Sequence, residues 1–168
     1  MKSIEKFLFA SVLFVFLASC EEDGYADYDA GETNVQELSG EWWVAGFGPD
    51  GALVSDYHLW STYNTATNNN DTIWLDDHGS AVELKTRVQA NVSNLTFGNS
   101  GETTEVITGG TVLVQNGAVF PEGATAPASG AVVDSIYFEA EFDWDPGVIY
   151  TFKGHGRTGF LEDEDPHF

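Results

Sequence analysis

Strict alternation of apolar and polar residues between positions 135 and 144 limits the fold more than any other feature of the chain. Side chains of a β-strand point to opposite faces in turn, so the pattern predicts a strand with one core face and one solvated face. Asp145-Pro146-Gly147 then supplies a turn, and Val148 to Lys153 returns as the hairpin partner. The predicted core face consists of Ile136, Phe138, Ala140, Phe142 and Trp144.

The same succession of short strands and turns continues upstream. No window of helical period with caps occurs, apart from a short turn at Val35 to Leu38. The segment Phe120 to Gly130 is rich in Ala, Pro and Gly, and we expect it to form a loop over one end of the fold. The other predicted strands are Glu41 to Phe47, Ala52 to Trp60, Thr72 to Asp76, Ser80 to Val92 and Thr103 to Val114.

These strands must close on themselves or pack as two sheets, because an open sheet would leave unpaired edges. The predicted fold is therefore all-β, an antiparallel β-barrel of about eight strands, with a β-sandwich as the alternative. Gly40-Glu41-Trp42 resembles the Gly-x-Trp pattern of calycins, which implies a lipocalin-like (calycin) barrel. In that fold a basic side chain from the last strand lies across the Trp. The resemblance implies that Trp42 and Arg157 close the barrel through a cation–π contact.

The first 19 residues are predicted to be an export signal. An unbroken run of apolar or small residues from Phe7 to Ala18 follows Lys2 and Lys6, and this is the pattern of secretory signals. The run is too short to span a bilayer, which needs about 20 residues. The tetrapeptide Leu17-Ala18-Ser19-Cys20 resembles the lipobox of bacterial lipoproteins, which implies cleavage before Cys20 and lipidation of its thiol. An ordinary signal peptide cleaved elsewhere is the alternative.

Acidic residues follow the predicted lipidation site. We interpret residues 20–34 as a flexible tether, since their composition is too polar to build a core, and residues 35–168 as a single β-barrel domain. Acidic residues directly after the lipidated Cys also resemble the export signal of Bacteroidetes lipoproteins, although a solvated spacer has the same composition. We therefore expect a lipid-anchored outer-membrane protein on the periplasmic or cell-surface face, with the surface slightly favoured.

The charge of the chain excludes several classes of partner. It has 27 acidic and six basic residues, a net charge of −21. Such a surface repels nucleic acid and anionic lipid headgroups. The expected partners are a small apolar molecule or a glycan, the membrane through the anchor at Cys20, and an outer-membrane protein.

Three segments resemble a family of Bacteroidetes lipoproteins described as "lipid-binding putative hydrolase". They are residues 38–42 (LSGEW), 61–66 (STYNTA) and 154–163 (GHGRTGFLED). The resemblance runs from Leu38 to Asp163 and implies a calycin-like barrel that binds a lipid or hydrolyses a substrate. At Gly156 the family pattern leads us to expect a second basic residue, so this departure counts against anion binding by that loop.

Motifs for catalysis or metal binding are lacking in the sequence. No Gly-x-Ser-x-Gly elbow occurs, and the four His residues show no metal-ligand spacing. His78 reads as a solvated turn residue. His155 and Arg157 form a possible polar site, with a strand-end His paired to a carboxylate as the alternative. Acidic clusters at 143–145 and 162–165 lack EF-hand spacing. We expect no metal, no cofactor and no catalysis.

The aromatic residues of the predicted strands indicate a binding site for a small ligand. An eight-stranded barrel has room for one small ligand, and neighbouring Trp42 and Trp43 must point to opposite faces of their strand. The alternative is that aromatic side chains fill a barrel without a cavity. The predicted ligand-binding residues are Trp43, Trp60, Tyr63, Trp74, Phe138 and Phe142.

Overall fold

The computed structural model describes residues 32–164 of the protein, which belong to one compact unit. Cys20 and the predicted export signal lie outside the described residues. Within them, 3₁₀ turns form at Gln36–Leu38, Val92–Asn94 and Leu161–Asp163. The strands are β1 (Gly40–Phe47), β2 (Leu53–Asn64), β3 (Thr72–Asp76), β4 (Lys85–Asn91), β5 (Thr96–Gly98), β6 (Thr103–Thr104), β7 (Thr111–Thr125), β8 (Val132–Phe142) and β9 (Ile149–Gly156).

Eight of these strands close into an antiparallel barrel, which confirms the predicted fold class. The strands are neighbours in the order β5-β4-β3-β2-β1-β9-β8-β7, and the pairing of β5 with β7 completes the ring. That closing pairing is short, with Thr96 opposite Ala118 and Phe97 opposite Gly117. A Cβ atom at Gly117 would lie 2.4 Å from the Phe97 ring, so glycine allows the two strands to approach. Strand β6 pairs with β7 beside the ring.

Only the second half of the segment Phe120–Gly130 forms the predicted loop, because β7 continues to Thr125 and the turn before β8 occupies residues 126–131. Register shifts between Gln115 and Ala118 and between Phe120 and Ala124 mark two bulges. Asn116 and Glu122 adopt positive φ at these bulges, at 53° each. Extra residues are therefore absorbed while pairing with β8 continues. In residues 120–125 the loop-like composition therefore belongs to a bulged strand.

Three other predicted boundaries also change. Strand β4 begins at Lys85, because residues 78–84 form a loop whose backbone N–H groups bond the buried carboxylate of Asp77. The predicted strand from Thr103 to Val114 is broken by a turn around Glu105, whose carboxylate accepts hydrogen bonds from Ile107 and Thr108. Trp144 is 58% exposed rather than in the core, because β8 ends at Phe142.

The interior of the barrel is filled by its own side chains. The ring of Phe138 stacks on Phe152 with centroids 4.9 Å apart, and Trp60 contacts both rings at 5.3 Å. All three side chains are buried. The predicted turn before β1 is present, and Val35 and Leu38 from it belong to the same buried cluster.

The two ends of the barrel differ. At one end lie the start of β1 and the end of β9; we call it the terminal end. The other end carries the connections between β1 and β2 (48–52), between β6 and β7 (105–110) and between β8 and β9 (143–148). We call it the hairpin end. Because neighbouring strands are antiparallel, all three connections lie at that same end.

Candidate functional site

The three sequence segments on which the family resemblance rests meet at the terminal end. The indole Nε1 of Trp42 donates a hydrogen bond of 2.9 Å to the Thr62 hydroxyl. Thr62 in turn donates to the carbonyl of Leu38 at 2.6 Å. A Cβ atom at Gly40 would lie 3.0 Å from the Trp42 indole. The Gly-x-Trp pattern therefore reflects the packing of the indole over Gly40.

Arg157 reaches this end from β9 but binds carboxylates. Its guanidinium lies 2.6 Å from Glu41 and 2.8 Å from Glu164. Hydrogen bonds to Glu164 and Glu41 raise the pKa of Arg157 above its usual range. The cation–π contact with Trp42 that we expected is not among the ring contacts of residues 32–164. Arg157 instead links the start of β1 to the residues that follow β9.

His155 does not join Arg157 in a polar site. Its ring is buried, lies 5.9 Å from the ring of Tyr57 and places Nδ1 3.2 Å from the carbonyl of Gly156. No hydrogen bond joins His155 to Arg157 within the described part of the chain. A Cβ atom at Gly154 would lie 1.9 Å from the carbonyl oxygen of Trp43, so glycine is needed for β9 to pair closely with β1.

Asp163 fastens the residues after β9 to the turn before β8. Its carboxylate accepts hydrogen bonds from the backbone N–H groups of Ala128 and Ser129 and from the Thr158 hydroxyl. Hydrogen bonds, chiefly from Ser129, lower the pKa of Asp163 to about 2. From the sequence Asp163 was only one of several clustered acidic residues. The segment of greatest resemblance thus serves to hold the terminal end together.

The six predicted ligand-binding residues separate into two groups. Trp60, Phe138 and Phe142 are 0 to 3% exposed and belong to the filled core. Trp43, Tyr63 and Trp74 are half-buried. The interior group lines none of the three surface grooves described below.

Tyr63 and Trp74 stand opposite each other on β2 and β3, with Arg87 next in the row on β4. We call Tyr63, Trp74, Lys85 and Arg87 the aromatic platform. The ammonium of Lys85 lies 5.5 Å from the Tyr63 ring centre, and the Arg87 guanidinium lies 4.9 Å from that of Trp74. A groove of about 270 Å³ beside Trp74 and Arg87 is lined also by Thr86, Thr103, Thr104 and Val106.

Asp76 neutralises one cation of the aromatic platform. Its carboxylate lies 2.6 Å from the Lys85 ammonium and accepts a hydrogen bond of 2.7 Å from the Tyr63 hydroxyl. Burial raises the pKa of Asp76, but hydrogen bonds from Lys85 and Tyr63 outweigh it and bring the pKa below its usual value. Arg87 makes no ion pair within residues 32–164.

Ser61 and His78 form a pair that sequence reasoning missed. The Ser61 hydroxyl lies 2.9 Å from Nε2 of His78, and His78 adopts a positive φ of 56°. A nucleophile needs a base that is itself oriented by a third group and a place for substrate. Within the described residues no carboxylate bonds the His78 ring, and neither residue lines the three grooves. The pair attaches the 77–84 loop to β2.

A second groove, of about 390 Å³, lies at the hairpin end between the β1–β2 connection and β9. We call it the hairpin groove. The ammonium of Lys153 lies 4.3 Å from the ring centre of Phe47 inside it. Its walls expose polar and apolar atoms about equally, and its side chains include one hydroxyl and one ammonium. The lining residues are Phe47, Gly48, Pro49, Gly51, Ile149, Thr151 and Lys153.

Exposed apolar side chains surround the hairpin end. Trp144 stacks on Phe142 with ring centroids 4.9 Å apart and lies 5.5 Å from the Tyr150 ring. Monomeric proteins rarely expose many large apolar side chains together unless they bind something. We call this set the apolar rim; it consists of Leu53, Val54, Val106, Ile107, Trp144 and Ile149, each 44 to 58% exposed.

A third groove, of about 680 Å³, lies over the closing strands β4, β5 and β7 and is mainly polar, with Gln89, Asn91, Asn99, Gln115 and Asn116 in its lining. Among residues 32–164 no group of three His, Cys, Asp or Glu side chains could hold a metal ion. No helix in this range is long and apolar enough to cross a bilayer.

Sequence reasoning did not find the hairpin groove. Phe47, Ile149 and Lys153 carry no motif, and only the pairing of β1 with β9 brings them together, with Phe47 opposite Thr151 and Ala45 opposite Lys153. The one indication in the sequence was a basic residue on the predicted return strand of a very acidic chain.

Comparison with known proteins agrees with this fold. A family model described as "Lipid-binding putative hydrolase" matches residues 27–161. No curated protein matches the chain. The matched range includes the whole closed barrel, and a β-barrel fits a lipid-binding role. The chain therefore belongs to the family described as "lipid-binding putative hydrolase".

Proposed function

We propose that the protein is a lipid-anchored, extracytoplasmic β-barrel that binds a small hydrophobic ligand in the hairpin groove without catalysis. One observation carries the proposal. The interior is filled, whereas the groove beside Phe47 and Ile149 is open, has both apolar and polar walls and adjoins the apolar rim. Its volume of about 390 Å³ lies in the usual range of ligand sites.

The location of the ligand follows from the core packing. Trp60, Phe138 and Phe152 occupy the space that a lipocalin-like barrel gives to its ligand. A lipid entering there would have to displace rings that are packed at close to crystal density. Phe47, Pro49 and Ile149 already line a surface groove. Burying the apolar part of a ligand against them therefore costs less free energy than inserting it into the filled interior.

The anchor and the compartment rest on the sequence. The apolar run before Cys20 and the resemblance of residues 17–20 to a lipobox support export and lipidation. Acylation would hold the barrel at a membrane. The acidic residues after Cys20 favour the outer membrane, with the barrel on either its periplasmic or its cell-surface face.

Native mass spectrometry tests the proposal. The barrel has a closed sheet and its own core, so the chain from Glu21 to Phe168 can be purified without its leader. Spectra recorded before and after gentle organic extraction should show an adduct of fatty-acid or phospholipid mass that disappears on extraction. A chain that carries no adduct and takes up no dodecanoate on titration would contradict lipid binding.

The aromatic platform favours a second candidate, a glycan-binding or protein-partner role. Tyr63 and Trp74 are half-buried side chains of adjacent strands, and Trp rings stack on sugar rings. A glycan array probed with the chain and with its Trp74→Ala variant distinguishes the candidates. Binding that depends on Trp74, without uptake of dodecanoate, would favour the platform.

A further inference from the structure

We infer that the ligand of the hairpin groove is an acidic amphiphile whose anionic head group is bound by Lys153. The inference rests on the proposed function, because it names the chemistry of the molecule that the groove binds. It follows from three observations: Lys153 makes no ion pair within the part of the chain that the structure describes, it lies beside apolar groove residues, and the chain as a whole is strongly acidic.

Within residues 32–164 no ion pair joins Lys153 to a carboxylate, although acidic residues greatly outnumber basic ones in the chain. The cross-strand neighbour of Lys153 on β8 is Tyr137, and the next outward acid on that strand is Glu139. Both oxygens of Glu139 are already bonded, one by the Tyr137 hydroxyl and one by the Asn116 amide, each at 2.7 Å. The ammonium therefore keeps its donors available.

The surroundings of Lys153 provide both parts of a site for an amphiphile, a cation for the head group and apolar side chains for the acyl chain. Its ammonium lies over the Phe47 ring at 4.3 Å, which holds the cation at the groove and leaves its outer side free. Thr151 lines the same groove, but its hydroxyl is bonded to Tyr137, so the head group is assigned to the Lys153 ammonium alone. Phe47, Pro49 and Ile149 provide the surface for an acyl chain.

Because the whole chain is strongly acidic, a groove that binds an anionic ligand more tightly than its uncharged analogue must contain a specific cation. A net charge of −21 repels anions in general. Within residues 32–164 the Lys and Arg side chains without an ion pair are Lys153 and Arg87, and Arg87 lines the separate groove of the aromatic platform.

Dodecanoate and dodecanol, below their aggregation concentrations, test the inference by isothermal titration calorimetry on the chain from Glu21 to Phe168. We expect dodecanoate to bind about fivefold more tightly than dodecanol, as a partly exposed charge pair allows. Lys153→Met should remove this preference by weakening dodecanoate binding more than dodecanol binding, whereas Lys153→Arg should keep it. Arg87→Met is the matched control and should keep it as well.

The outcomes separate the inference from the proposed function. Equal binding of the two ligands, or a preference that persists in Lys153→Met, would overturn the head-group assignment while lipid binding stands. A preference lost in Arg87→Met but kept in Lys153→Met would place the anion at the aromatic platform and also overturn it. If neither ligand binds the wild-type chain, the proposed function itself fails.

Discussion

The ammonium of Lys153 lies 4.3 Å from the centre of the Phe47 ring, at the pairing of β9 with β1. This contact joins the cation to the apolar wall of the hairpin groove. The groove contains none of the interior residues, among which Trp60 and Phe138 are 0% exposed. The protein thus combines a filled barrel with a proposed ligand surface at its hairpin end.

Replacing Phe47 should weaken binding of both test ligands. Phe47→Ala removes the largest apolar wall of the hairpin groove, and a loss of about 1.4 kcal/mol of apolar contact corresponds to about tenfold in affinity. Calorimetry with dodecanoate and dodecanol checks this. Phe120→Ala is the control, since Phe120 is 51% exposed and lines no described groove. An unchanged affinity in Phe47→Ala would show that the ligands do not bind in the hairpin groove.

The Thr62 hydroxyl should matter for stability rather than for binding. Thr62→Val keeps the side-chain shape but leaves the buried Trp42 Nε1 and the Leu38 carbonyl without their partner. We expect the free energy of unfolding to fall by about 1 to 3 kcal/mol, measured by urea denaturation. Thr104→Val, at an exposed strand position, is the matched control. A variant of Thr62 as stable as the control would show that this chain of hydrogen bonds contributes nothing.

Asp163 should give the fold a characteristic pH dependence. Its pKa is lowered from 3.8 to about 2 in the folded chain, chiefly by the hydrogen bonds from Ser129. A lowered folded-state pKa contributes stability above the unfolded pKa, and this stability is lost as the pH falls through the folded value. The difference in unfolding free energy between wild type and Asp163→Asn should therefore be largest above about pH 4 and narrow toward about pH 2.

Urea unfolding at several pH values provides this comparison. Glu162→Gln serves as the control, because Glu162 is the exposed neighbour of Asp163 and its side chain makes no hydrogen bond within residues 32–164. A difference for Asp163→Asn that stays constant below pH 4 would contradict the role assigned to its carboxylate.

The Ser61 and His78 pair should not hydrolyse esters. Ser61 is only 8% exposed, and no carboxylate orients the His78 ring within the described residues. We expect no turnover of p-nitrophenyl esters of short or long acyl chains, and Ser61→Ala should lose about 1 kcal/mol of stability with the hydrogen bond. Turnover by the wild-type chain that disappears in both Ser61→Ala and His78→Ala would establish a hydrolase and contradict the proposal of binding without catalysis.

Local patterns in the sequence predicted much of the barrel. Strand β3 occupies Thr72–Asp76 as predicted, since two turn sequences bound a short apolar run. The alternation along β8 placed Ile136, Phe138, Ala140 and Phe142 on the buried face, as observed. Such patterns depend on neighbouring residues alone, so a single sequence contains them.

Features that depend on distant residues were not predictable in this way. The extension of β7 to Thr125 relies on bulges that resemble a loop in composition. The role of Asp163 depends on a turn 34 and 35 residues earlier in the chain. Trp60 and Phe138 could line a cavity or fill one, and only the packing of three rings against each other shows that they fill it.

Isotope-filtered NMR tests the central claim most directly. In a complex of the chain from Glu21 to Phe168 with ¹³C-labelled dodecanoate, the account predicts nuclear Overhauser effects from the ligand methylenes to Phe47, Pro49 and Ile149, the apolar walls of the hairpin groove. Effects to Trp60 and Phe138 in the interior, or to Tyr63 and Trp74 on the aromatic platform, in place of these would contradict it.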